Sequence, residues 1–191
     1  MRLVSRIALL AVLVLAVAGT AFAGEAEERM MKLTSPGEHH VNLSKMAGEF
    51  TYTSKMWMEP GGEAMESSGE KTAEMVMGGR YLKEFVTGNV MGMPFEGMAI
   101  TGYDNASEEF IFTWIDNFGT GILSGTGRWD EHKGYVFEGD TFDINRGEMV
   151  HWEQIVKVVT DDKHKLEWFM PGPDGTPYKM MEIVYLRKAG S

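Results

Sequence analysis

Two sets of side chains in this sequence have the type and spacing to do chemistry. The first is a histidine with carboxylates: His151 and Glu153 stand two residues apart, and Glu167 and Glu182 fall in the next two strand-like segments. Residues two apart along a strand point to one face. Facing inward, the four would make a polar cluster able to anchor a ligand headgroup or to give and take protons as acid and base. Facing outward they would be solvated charge, as most strand carboxylates are. The second set is methionine. Met56-Trp57-Met58, Met75-Val76-Met77 and Met91-Gly92-Met93 each place two thioethers at spacing two. Thioethers are soft ligands that select Cu(I) over hard ions, so Met56 and Met58 are a candidate metal pair. Methionine also fills irregular apolar pockets, and that broader reading suits a chain that carries, after residue 23, 15 Met against 6 Leu.

Dedicated catalytic motifs are missing from the sequence. There is no Gly-x-Ser-x-Gly elbow, no zinc-protease histidine spacing and no cysteine. Gly119-Thr120-Gly121-Ile122-Leu123-Ser124-Gly125-Thr126-Gly127 lacks the lysine of a phosphate-binding loop; its glycines read as sites of strand bending or close backbone approach. His132 and His164 fall in expected turns, where they would be solvated, and the adjacent His39 and His40 point in different directions. No cofactor is implied. An enzyme working through His151 and inward carboxylates stays open as an alternative.

These residues need a scaffold, and the chain begins with a segment that belongs to none. Arg2 and Arg6 precede an apolar run from Ile7 to Ala18, and Ala21-Phe22-Ala23 makes a small-x-small site before Gly24. This predicts a signal peptide over residues 1–23, cleavage near Ala23–Gly24, and a periplasmic or secreted protein. The run is too short to cross a bilayer and no later stretch is apolar enough, so no membrane span is expected in the mature chain. Removing 23 of 191 residues leaves 168, the size of one domain. The net charge of −10 becomes about −12 once Arg2 and Arg6 are gone. An acidic surface without a basic patch excludes nucleic acid as a partner.

Residues 24–35 form a flexible or helical lead, and residues 36–191 one β-barrel domain with an N-terminal helix. Ser35-Pro36-Gly37-Glu38 reads as a capping box with proline at the first helical position. It opens a helix from about Pro36 to Ala47, capped by Gly48, with Leu43 and Ala47 on one face. Beyond Gly48 the texture is β. Apolar and polar residues alternate in short runs broken by turn signals such as Pro60-Gly61-Gly62, Gly78-Gly79, Asp104-Asn105 and Asn145-Arg146-Gly147. About ten strands are expected, starting near Gly48, Ala64, Arg80, Pro94, Glu108, Gly119, Gly134, Glu148, Lys163 and Thr176. Connections this short make sequential strands neighbours, and a meander gains most by closing on itself. The expected fold is all-β, an antiparallel up-and-down barrel.

Several sequence pieces carry a resemblance. They are His40 with Leu43, Ala47-Gly48-Glu49-Phe50, Gly78-Gly79-Arg80-Tyr81-Leu82, Pro94-Phe95-Glu96-Gly97, Gly102-Tyr103-Asp104, Trp114-Ile115-Asp116, Gly119-Thr120 and Tyr185-Leu186-Arg187. Together they resemble domain-of-unknown-function family 1579, a group of bacterial exported proteins described as lipocalin-like and without an assigned reaction. The resemblance implies a calycin-like barrel. In such barrels a Gly-x-Trp on the first strand and an arginine on the last stack to close the base. Gly48-Glu49-Phe50 and Arg187 look similar, with Phe50 in place of tryptophan.

A barrel of this size holds a small apolar or amphipathic ligand. Trp57, Phe110, Phe112, Trp114, Trp152 and Trp168 are wall candidates, with His151, Glu153, Glu182, Tyr103 or Arg80 as polar anchors. Two further alternatives stand beside ligand binding and catalysis. One is a solid barrel whose outer apolar face pairs with a second copy as a homodimer. The other is Cu(I) handling through the methionine pairs.

Overall fold

The computed structural model describes residues 24–144 and 146–190; the expected signal peptide lies outside the described residues. Residues 24–34 form helix α1, within a separate compact unit that ends at Ser35. Its last turn is held by the Thr34 hydroxyl donating to the Met30 carbonyl at 2.8 Å.

The second unit starts at Pro36. Helix α2 spans Glu38–Ser44, and ten strands follow: β1 Gly48–Met56, β2 Met65–Val76, β3 Tyr81–Val90, β4 Met93–Asp104, β5 Glu109–Asp116, β6 Leu123–Asp130, β7 Gly134–Asp143, β8 Glu148–Thr160, β9 Lys163–Pro171 and β10 Pro177–Arg187. Each strand pairs antiparallel with its neighbours in sequence, and β1 pairs with β10 to close the barrel. The expected up-and-down barrel is the one the chain forms. Alternation makes it: on β5, Phe110 and Phe112 are buried while Ile111 and Ile115 are exposed.

Two boundaries differ from the sequence reading. The sixth strand begins at Leu123 rather than Gly119, because residues 117–122 are tied down as a loop. The Asp116 carboxylate accepts from the Phe118 and Gly119 amides at 2.9 and 3.0 Å. The Asn117 side chain accepts from the Glu96 amide and donates to the Pro94 carbonyl, both at 3.0 Å. Helix α2 is also shorter than expected. Its N-cap is Gly37, whose amide donates to His40 Nδ1 at 3.0 Å, and it stops at Ser44. The chain has already turned by then: the Lys45 and Ala47 carbonyls accept from the Arg187 guanidinium at 3.2 and 2.8 Å, and Gly48 (φ 133°) opens β1.

The barrel has two unlike poles. At one, α2 packs against β3 and β4 and sends Leu43 into the core beside Leu82 and Phe110, and Met46 follows just beyond the helix. Two turns at this pole are polar, Asn105 to Glu108 and Asp161-Asp162, while the β2–β3 turn exposes Met77. At the other pole, exposed apolar side chains stand on successive loops: Met58, Met91, Phe118 with Ile122, and Ile144. Midway, Trp152 is fully buried and stacks on Trp168 at 4.6 Å. Its indole fits because the facing strands carry glycine. A Cβ on Gly125 would lie 2.6 Å from the Trp152 ring, and one on Gly139 would lie 2.9 Å away. The Gly125 end of the glycine-rich segment is therefore a packing device.

Candidate binding cavity

A cavity of about 390 Å³ lies inside the barrel, within the range of small-molecule sites. Phe95, Phe112, Trp114, Phe137, Leu166 and Trp168 form much of its wall. It reaches the loops of the pole opposite α2, where Met91 and Phe118 line it. Trp168 is 8% exposed, and its indole N–H has no hydrogen-bond partner among the described residues. A buried donor in the cavity wall is a group a ligand can satisfy.

The deep end is polar, for a reason written in the alternation of β2 and β3. On β2, Ser67, Gly69, Lys71 and Ala73 share the inner face; on β3, Leu82, Glu84 and Val86 do. The register sets Lys71 opposite Val86 and Ala73 opposite Glu84, so lysine and glutamate meet on the diagonal. Lys71 Nζ lies 2.7 Å from Glu84 Oε1, and their side chains are only 4% and 18% exposed. The ammonium also stands 4.1 Å from the Tyr185 ring centre and 4.8 Å from that of Phe50, so ring faces and the carboxylate together offset its desolvation. Tyr52, Thr101, Gln154 and Tyr185 complete the polar lining. Burial raises the pKa of both phenols, with the Glu84 charge adding to it at Tyr185.

Beneath this floor sits His164. It was expected in a solvated turn; it is instead the second residue of β9, paired with Tyr185 and 1% exposed. Its ring lies 4.9 Å from Phe50, and neither nitrogen has a hydrogen-bond partner among the described residues. Burial, with the Lys71 and Arg187 charges behind it, pushes its pKa down to about 4. The imidazole is therefore neutral at pH 7.

The structure gathers some of the sequence-derived candidates and scatters others. Phe112, Trp114 and Trp168 line the cavity together, while Phe110 and Trp152 are packed into the core and do not line it. Trp57 does not: it lies beyond the end of β1, in a surface niche with Pro60 and Tyr178, under Lys179 at 5.7 Å. Arg80 sits in the β2–β3 turn and donates to the Met77 carbonyl at 3.1 Å. Tyr103 belongs to the α2 pole, 4.1 Å from the His39 ring and 4.8 Å from Phe110.

The inward cluster around His151 does not form. On β8 the residues turned inward are Val150, Trp152 and Gln154, so His151 and Glu153 take the outer face. His151 is 61% exposed beside Asp140 at 3.2 Å, and Glu153 faces Lys133 at 3.7 Å. Glu167 and Glu182 are outside as well, held by Lys165 at 3.0 and 3.2 Å and both bonded to Lys179. Lys179 first, then Lys165, keeps the Glu182 carboxyl below the usual range. All four are surface groups beside opposite charges, and at Glu167 and Glu182 the shift is downward, the reverse of what a catalytic acid needs. The methionine pairs separate too, because each spans a strand end. Met58 lies beyond β1 and is 63% exposed, Met77 lies beyond β2 and is 74% exposed, and Met91 occupies the β3–β4 turn.

The strand-closing contact is direct. The Arg187 guanidinium stands 4.6 Å from the Phe50 ring centre while donating to Lys45, Ala47 and Asp161 carbonyls. This knot lies at the very edge of a match to a family model described as a protein of unknown function (DUF1579), which covers residues 35–187. The chain belongs to the DUF1579 family. No curated protein matches it. The DUF1579 match takes in α2 and all ten strands and ends on Arg187, so cavity, polar floor and closing knot fall inside it.

Sequence reasoning missed Lys71, Glu84, Tyr52, Tyr185 and Gln154. A signal was present on β3, where Glu84 interrupts the apolar alternation of Leu82 and Val86. On β2 both faces carry polar residues, so nothing local marks Lys71 as buried.

Proposed function

We propose that this DUF1579 barrel binds a small amphipathic molecule. Its apolar body would lie between Phe112, Trp114 and Trp168, and its polar end would meet the Lys71–Glu84 pair. The observation that carries this reading is the pair itself: an ammonium and a carboxylate withdrawn from water in the floor of a cavity whose wall is largely aromatic and aliphatic. Burying them without use costs several kcal/mol per ion before pairing offsets it. The apolar collar of Met91, Phe118, Ile122 and Ile144 at the mouth supports entry of a chain from that side. We propose further that the protein works in the periplasm or medium after cleavage near Ala23–Gly24. N-terminal sequencing of the mature protein is expected to begin at Gly24, and an intact residue 1 on exported protein would refute cleavage.

Tryptophan fluorescence titrated with an alkyl carboxylate, alcohol and amine of equal chain length tests the binding. Saturable quenching with a preference among the three headgroups is expected. The double variant Lys71→Met/Glu84→Leu should still bind but lose that preference. No response to any of the three would remove the reading.

One observation favours a second reading, self-pairing. On the outside of β3–β5, Phe85, Met98 and Ile115 align across the strands, next to Ile100. Apolar side chains aligned on an exposed sheet face suit a second copy. Light scattering should show dimers that Ile100→Lys dissolves; a monomer at high concentration would exclude it.

A further inference from the structure

We propose that Met56, Met65 and Met181 form a site for a soft monovalent cation, Cu(I) or Ag(I), at the mouth of the barrel. The methionine pairs adjacent in sequence are pulled apart by the strand ends, but the register builds another group from three strands. Met56 on β1 stands directly opposite Met65 on β2 and directly opposite Met181 on β10. Directly opposed residues of antiparallel strands share a face, with Cβ atoms about 4.5–5.5 Å apart. All three are half-buried and line the cavity. A register shift between Lys179 and Met181 turns Met180 into the same cavity, so a fourth thioether stands beside the row.

The donor set selects the ion. Each methionine side chain has three rotatable bonds and ends in a neutral, polarisable sulfur, so three neighbours can converge on one ion. Thioethers favour Cu(I) and its kind over hard oxygen-seeking cations. Zinc would want thiolate, imidazole or carboxylate, and no cluster of three or more His, Cys, Asp or Glu is found among the described residues. Charge favours a cation: the chain carries a net −10, and the Asp116 carboxylate lines the same cavity. The ion is held in one oxidation state throughout, so no electron donor or acceptor is needed.

The site shares the cavity with the amphiphile reading, but its donors are the mouth methionines and not the Lys71–Glu84 floor or the aromatic wall. The test is calorimetric titration of the full chain with Ag(I) in chloride-free buffer, matched by anaerobic Cu(I) competition against a chromophoric chelator. One ion per chain is expected. With methyl-labelled methionine, the NMR signals of Met56, Met65 and Met181 should shift together while that of Met77 stays. Met56→Leu removes the central donor at nearly constant volume. It should weaken binding by more than about tenfold, the loss that removing even a residue supporting a ligand brings, whereas the exposed Met58→Leu should leave it unchanged. Circular dichroism of the unliganded variants reports folding, and quenching by the alkyl probes on the same variants reports the amphiphile reading separately. Absence of Ag(I) binding, uptake spread evenly over all methionines, or equal losses in Met56→Leu and Met58→Leu would each overturn the site.

Discussion

Lys71 carries more of this protein's chemistry than any residue with a recognisable motif. Buried charges tolerate joint removal better than the loss of one partner, because the survivor stays desolvated and unpaired. Lys71→Met alone should therefore cost about 3–5 kcal/mol, while Lys71→Met/Glu84→Leu should be near neutral or stabilising. Urea denaturation of both variants checks this; equal losses would mean the pair is not the buried unit described. His164 makes a second prediction. Its folded pKa of about 4 lies below the ordinary histidine value of 6.5, so between those values the unfolded chain binds the extra proton. Its contribution to stability is complete above pH 6.5 and is lost as pH falls toward 4, with a slope of about 1.4 kcal/mol per pH unit at most. His164→Leu should flatten the urea midpoint between pH 7 and 5, and an unchanged slope would exclude His164 as its source.

The strands owe their inward faces to where small residues permit large ones. Gly125 on β6 and Gly139 on β7 give way to Trp152 on β8. Gly125→Ala would place a Cβ 2.4 Å from the Glu138 carbonyl oxygen and 2.6 Å from the Trp152 ring, and overpacking of that kind costs about 1–3 kcal/mol. Gly121, in the loop before β6, has open space for 4 Å around the point where a Cβ would stand and keeps an ordinary φ, so Gly121→Ala should be near neutral. Thermal melts of the two variants separate a packing role from a loop role in one glycine-rich segment. Helix α2 illustrates the same dependence on partners. The expected cap at Ser35 gives way to Gly37, and just beyond the helix end the Lys45 and Ala47 carbonyls are taken by Arg187, an arginine far along the chain.

Closure joins the first strand to the last, and one side chain sits on the seam. Arg187 holds three backbone carbonyls and covers the Phe50 ring. Hydrogen bonds from a charged donor contribute about 1.5–3 kcal/mol each at best, and an exposed share of them less. Arg187→Met should cost about 2–4 kcal/mol, and faster amide exchange should concentrate in β1, β10 and α2. Uniform exchange across the barrel would show that the seam is held elsewhere. The two poles divide the remaining work. The α2 end is plugged by Leu43 and Met46, while the open end combines apolar loop tips with the cavity mouth.

Local pattern by itself determined the strand count, the meander and nearly every turn, because alternation and Gly/Asn/Asp breaks are properties of a few consecutive residues. It also marked Phe112, Trp114 and Trp168, since aromatics on an alternating strand favour the inner face. Orientation of the polar strands was decided only by the closed sheet. A period of two names two faces without saying which is inside, so His151 and Glu153 pointed out and Lys71 and Glu84 pointed in once neighbouring strands fixed the register. The methionines show the limit most sharply. Pairs close in sequence were divided by strand ends, whereas the β1–β2 hairpin set Met56 against Met65 and barrel closure brought the distant Met181 beside Met56, a pairing that no single segment encodes.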